Sequence, residues 1–270
     1  MAISDITLGA GMRENLSSLQ LTSALMARTS ERLATGLKVN KAVDDPTAFF
    51  AAQAHRSRAA DLAALKDGMG EGIQTVNAAN EGIEAITSLI EQARGLVSAA
   101  RSIASVTDRA DLFAQFNEIL NQIDTISADA GYKGLNLLAG DTMTVTFDEA
   151  GSSTLDIVGF DATVAGDLAI TVATDFSDGE LDTAVTDLDA AVTTLRTNAK
   201  TLSANLGIVT ARQEFTTGMI NTLQVGADNL TVADENEESA NMLALQTRQQ
   251  ISIATLGMSS QAQQSILRLF

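Results

Sequence analysis

In residues 12–38, MRENLSSLQLTSALMARTSERLATGLK, the positions Leu16, Leu19, Ser23, Met26, Ser30, Leu33 and Leu37 follow one another in alternating steps of three and four. That spacing predicts a helix carrying the seam of a coiled coil. Two of its seven seam positions are serine, so the stripe is too thin to hold a helix pair firmly. Gly36 stands at the cap position where the helix should end. The other end of the chain has the same character. Met242, Leu245, Gln249, Ser252, Leu256, Ser259, Gln263, Ile266 and Phe270 form a seam with polar residues at four of nine positions. Chain ends ordinarily fray. Diluted seams at both ends predict terminal helices that stay unpaired until other copies of the molecule bury them.

Between these ends the stripes are stronger. Asp44-Asp45-Pro46-Thr47 reads as a helix start, an acid before proline in the first turn. A long helix is expected from there to about residue 102, with Ile73, Val76, Ile83, Ile86 and Ile90 on its apolar face. Gly68, Gly70 and Gly72 predict a kink or a close helix contact within it. A third helix is expected over about 109–128, through Leu112, Phe116, Leu120 and Ile123. The pattern changes after Gly131. Residues 142–147 alternate polar and apolar, which predicts a strand, and 155–158 and 168–172 are two further strand candidates. Helix returns near Ser177 with Leu181, Leu188, Leu195 and Leu202 in step, and Asp228-Asn229 marks a soft break. The expected fold is mainly α: a folded-back rod of long coiled-coil-like helices, with a small β insert between the halves and both weak helices at one end.

Composition narrows the function. The 270 residues contain no cysteine, which excludes disulfides, thiolate metal sites and cysteine nucleophiles. The formal charge is −17, which argues against nucleic acid and against an anionic membrane surface as partners. Twelve acids and no Lys or Arg lie between Lys133 and Arg196, so the middle of the chain reads as a solvated, self-repelling face. No apolar run reaches the length of a membrane span, and the first residues lack the basic and apolar regions of a cleaved leader. His55 is the only histidine, which removes two-histidine metal motifs and weakens every hydrolase triad. Asp44-Asp45 and Asp234-Glu235 with Glu237-Glu238 read as helix starts rather than as carboxylate sites. No catalytic residue, cofactor or metal is expected, and the chain does not read as an enzyme.

Several blocks resemble those of bacterial flagellins. Residues 31–46, Glu31-Arg32-Leu33-Ala34-Thr35-Gly36-Leu37-Lys38-Val39-Asn40-Lys41-Ala42-Val43-Asp44-Asp45-Pro46, are similar to that family's N-terminal signature, which places Arg32, Leu33, Gly36, Asn40, Asp44 and Asp45 in it. Ala79-Asn80-Glu81-Gly82-Ile83 resembles the next block. Tyr132-Lys133-Gly134-Leu135-Asn136-Leu137-Leu138-Ala139-Gly140 resembles the block that closes the N-terminal half, with Tyr-Lys where Phe-Asn is common. Ala204–Ile208, Gln246–Gln250 and Ile266–Phe270 match in the C-terminal half. The likeness covers residues 1–140 and 180–270.

The resemblance implies a subunit that polymerises into the flagellar filament for swimming motility. It implies an N-terminal filament-core helix over 1–44, a helical domain built from 45–140 and 177–228, a minimal acidic β-rich outer segment over 141–176, and a C-terminal filament-core helix over 229–270. Leu16, Leu19, Met26, Leu33, Leu37, Met242, Leu245, Leu256, Ile266 and Phe270 are then the assembly residues. Implied partners are other flagellin subunits, a flagellar export chaperone at the C-terminal helix, and hook-associated and cap proteins. The implied location is extracellular, after secretion through the flagellar type III apparatus, a route that suits a cysteine-free chain. Two other readings stay open at this point: a hook–filament junction protein of the same architecture, and a surface protein that binds a cation or glycan through its acidic centre.

Overall fold

The structure, a computed structural model, describes residues 10–267. Five long helices carry it: α1 (Ala10–Thr35), α2 (Pro46–Arg101), α3 (Ala110–Asp129), α4 (Asp178–Thr231) and α5 (Glu235–Leu267). One antiparallel hairpin, β1 (Thr142–Thr146) with β2 (Thr154–Val158), interrupts them. The fold is mainly α with a small β insert, as the periodicity predicts. Helix ends have local causes. Pro46 opens α2 at a position whose N–H would have no partner in any case. Asp45 Oδ1 accepts the Ala48 N–H at 3.0 Å. α4 runs on through Asp228 and Asn229, so the break falls after Thr231. Asp234 then caps α5, its Oδ1 accepting the N–H groups of Asn236 and Glu237 at 2.9 and 3.2 Å.

The chain forms two compact units, one of residues 58–222 and one of the residues before and after them. The larger unit holds a continuous aliphatic core. Ile86, Ile90 and Val97 of α2, Phe116 and Ile123 of α3, and Leu188 and Leu195 of α4 are fully buried in it. The glycines of α2 do not break the helix. Gly72 is where the hairpin rests on it, since a Cβ there would lie 3.1 Å from Val145 Cγ2.

The insert between α3 and α4 is part of that core rather than a lobe beside it. Val145, Phe147, Ile157, Phe160, Leu168 and Phe176 are all buried there. The third strand candidate does not form. Ala169 takes a φ of +47°, the Ile170 N–H donates to Val164 O, and the Thr171 N–H donates to Asp187 Oδ2 at 2.9 Å. A left-handed residue and two spoken-for amides leave no edge for a neighbouring strand. The twelve acids between Lys133 and Arg196, five of them in α4, are mostly exposed, as a solvated face predicts, but none is isolated. Each one accepts a hydrogen bond or meets an arginine. Glu180 takes the amides of Thr174, Asp175 and Phe176 at 2.9 to 3.0 Å. Buried Arg109 complements it, donating to Ile103 O, Phe176 O and Asp178 Oδ1, each at 2.8 Å.

Candidate assembly interface

The smaller unit is built on the terminal helices. α1 and α5 lie along one another and run antiparallel, with Arg32 against Glu238 and Leu25 across from Leu245. The expectation of two unpaired helices is therefore corrected: within one chain each is the other's partner. The face that α1 turns inward is Met12, Leu19, Thr22, Met26, Thr29 and Leu33, spaced by threes, fours and sevens. Leu19, Met26, Leu33 and Leu37 are half-buried, as the seam predicts. Leu16 is not on this face and is 37% exposed; Ser23 and Ser30 also point out. Their places are taken one residue earlier by Thr22 and Thr29, both buried. Thr22 donates its hydroxyl to Ser18 O of its own helix at 2.8 Å, which satisfies the polar atom without a partner across the seam.

On α5 the seam lies where its spacing puts it. Met242, Leu245, Gln249, Ser252, Leu256 and Ser259 share one half-buried face. Phe270 lies outside the described residues, as does the side chain of Ile266. Among the described residues, the only buried side chain on that face of α5 is a charged one, Glu238, which holds Arg32 at 2.6 Å. Spacing gives no hint of this pair, because 206 residues separate its members.

Residues 31–46 turn the chain from α1 into α2, and each motif residue has a structural task there. Gly36, at φ +69°, ends α1 with its N–H on Arg32 O at 2.8 Å. The strand-like segment after it clasps the segment before α5. Lys38 N–H donates to Thr231 O at 2.7 Å, Ala233 N–H donates to Gly36 O at 2.9 Å, and Leu37 pairs with Val232. Thr231 is buried and also accepts the Arg56 guanidinium at 3.0 Å. Asp44 closes the turn by accepting the amides of Lys41 and Asn40, which lower its carboxyl below the usual range. Glu31 is lowered as well, by the hydrogen bond and charge of Lys41 at 2.8 Å.

The remaining motif residues lie in the larger unit. Asn80 is half-buried on α2. Gly82 is a contact point, since a Cβ there would fall 2.6 Å from Leu138 Cδ1 and 2.9 Å from Ala130 Cβ. Gly134 and Gly140, both at φ +84°, bracket a short plug whose Leu137 and Leu138 are fully buried. Asn136 fixes that plug, donating to Ser127 O at 2.7 Å and accepting the Leu138 N–H at 2.9 Å. Among the described residues no three His, Asp or Glu side chains converge as metal ligands, and no helix is long and apolar enough to cross a membrane.

Comparison with known proteins places both halves of the chain. Residues 10–142 match the family model of the bacterial flagellin N-terminal helical region, and residues 181–270 match that of the bacterial flagellin C-terminal helical region. The chain is 27% identical to flagellin FljK of Caulobacter vibrioides over the full length of both. It is 28% identical to a flagellin of Brucella melitensis over 94% of this chain and 95% of that one. It is also 28% identical to the flagellar filament 33 kDa core protein of Treponema phagedenis, over 44% of this chain and 42% of that one.

Proposed function

Because the chain belongs to the bacterial flagellin family, we propose that the apolar faces its terminal helices leave uncovered are where successive copies join. The protein is a structural subunit of the flagellar filament, which lies outside the cell, and not an enzyme; its partners include other flagellin subunits. The observation that supports the terminal helices as the joining surface is their exposure after pairing. Leu21 of α1 and Leu243, Ile251, Ile253 and Met258 of α5 remain 55–65% exposed. These residues do not share one face, so a single helix pair leaves both flanks open. Exposed apolar surface of this kind marks an interaction site.

In this reading Leu19, Met26 and Leu33 with Met242, Leu245 and Leu256 hold the pair, and Leu16 joins the residues that meet another copy. Residues 1–44 and 229–270 are the filament-core segments, residues 45–140 and 177–228 the surrounding helical domain, and 141–176 its acidic outer face. The C-terminal helix is also the surface an export chaperone would cover before secretion, and the assembled ends would meet the hook-associated and cap proteins. Deletion of residues 1–40 or 232–270 tests the joining surface. Either truncation is expected to abolish filaments in electron micrographs of concentrated protein. Normal filaments from either one would overturn it.

A further inference from the structure

The flank of the helix pair that carries Leu25 forms a groove of about 320 Å³ lined by both terminal helices. Its charge is unlike the rest of a chain that carries −17. Arg28 and Arg32 of α1 and Arg248 of α5 all open into it. Arg32 is neutralised by Glu238. Arg28 and Arg248 are exposed and have no acid within ion-pair distance among the described residues. Arg28 reaches Asp44 only as a distant charge that helps lower its carboxyl. The groove thus presents two uncommitted guanidinium groups over an apolar floor of Leu25, Ala244 and Leu245.

The acids of the smaller unit identify what fits. Glu31 is held by Lys41, Asp228 by Arg56 and Glu238 by Arg32. Asp44, Asp45 and Asp234 accept backbone amides. Among the described residues, Glu14, Glu235 and Glu237 are left. Two of these lie on the groove's own rows: Glu14 precedes Leu21, Leu25 and Arg28 at helical spacing, and Glu237 precedes Asn241, Ala244 and Arg248. Glu235 belongs to another row. With Ser239, Leu243, Gln246, Gln250 and Ile253 it runs along the flank of α5 turned away from the groove, about 160° round the helix axis at 100° per residue. Every residue of that row is exposed, Leu243 at 65% and Ile253 at 55%.

We propose that the Glu235–Leu243–Ile253 face of α5 in one copy docks into the Arg28–Arg248 groove of a second copy. This rests on the filament reading above and says which surfaces join. The occupant is a second copy because the chain itself supplies the complement: an acid with apolar residues on one flank, arginines with an apolar floor on the other. Two different surfaces on opposite flanks make a heterologous contact, which leaves each new copy with one groove and one ridge still open. Such a contact propagates instead of closing into a dimer.

Charge reversal in separate copies tests it. One variant carries Arg28→Glu with Arg248→Glu, the other Glu235→Arg, and each is purified and concentrated alone and as an equal mixture beside the wild type. Each variant alone places like charges across the contact and is expected to raise the critical concentration for filaments about tenfold or more. In the mixture every reversed groove meets a reversed ridge and every native groove a native ridge, so filaments should return near the wild-type concentration. That rescue also shows that both variants fold. Wild-type behaviour of either variant alone would overturn the proposal, and so would a mixture that assembles no better than its components. A filament reading that is itself wrong shows differently, as a wild-type chain that forms no filaments.

Discussion

Two seams in this molecule share one spacing and differ in what fills it. In the larger unit, Ile86 and Ile90 of α2, Phe116 and Ile123 of α3 and Leu188 and Leu195 of α4 lose all contact with water. On α5 the positions at the same spacing, Met242, Leu245, Gln249, Ser252 and Leu256, are half-buried. Helical periodicity is common to both, so periodicity does not decide burial. What decides it is the number of partners. Three helices and an insert close over the larger core, whereas among the described residues α1 and α5 pair chiefly with each other. A helix with one neighbour hides one stripe, and its other flanks wait for another molecule.

Substitutions at matched positions should separate the two seams. Phe116→Ala empties a fully buried site packed edge-on against Phe176 at 5.2 Å, and should destabilise the folded chain by about 3–5 kcal/mol. Leu19→Ala with Leu245→Ala removes half-buried side chains from a thin seam; together they should lower monomer stability by about 1 kcal/mol and still raise the critical concentration for filaments. Thermal unfolding of the monomer and sedimentation of the polymer read the two quantities separately. If the terminal pair of changes unfolds the monomer as deeply as Phe116→Ala, the contrast between the seams is false.

A single charged contact tests what fastens the terminal pair. Glu238→Ala leaves Arg32 without its 2.6 Å partner in a side chain only 23% exposed. Hydrogen bonds to charged groups contribute about 1.5–3 kcal/mol, so loosening of that order is expected at the start of α5. Hydrogen exchange of the Lys38 and Ala233 amides, which hold the clasp to Thr231 and Gly36, would report it. Unchanged protection of both amides would show that the clasp alone fastens the pair.

The helices, their order and the first two strands were legible because each rests on short-range spacing and on caps such as Asp45 and Gly36. The terminal face of α1 was legible only in part. Leu19, Met26 and Leu33 sit on it, but the intervening row is Met12, Thr22 and Thr29 rather than Leu16, Ser23 and Ser30. Threonine reads as polar in a sequence, and only the structure shows Thr22 turning its hydroxyl onto its own helix. The Arg32–Glu238 pair and the role of Asn136 were invisible for a different reason: nothing local marks a partner supplied by the fold. The acidic stretch was legible as a solvated face, and nine of its twelve acids are exposed. Charge counts do not reveal that each carboxylate also accepts a hydrogen bond or meets an arginine.

That last point carries the finest prediction, at Glu180. The Thr174 hydroxyl foremost, with the amides of Asp175, Thr174 and Phe176, holds its carboxyl down from 4.5 to about 2, against the burial that would raise it. A carboxyl depressed on folding adds stability that is complete above its unfolded value and is lost as pH falls through its folded one. Its contribution should therefore be full above pH 4.5 and fade toward pH 2. Glu180→Gln keeps the shape and removes the charge, so the loop over Thr174–Phe176 should be less stable in the variant at neutral pH. The gap between wild type and variant should narrow as pH drops below 4.5 and close near 2. Melting temperatures of both proteins across that range measure it. A gap independent of pH would mean that the charge of Glu180 is not what holds the loop.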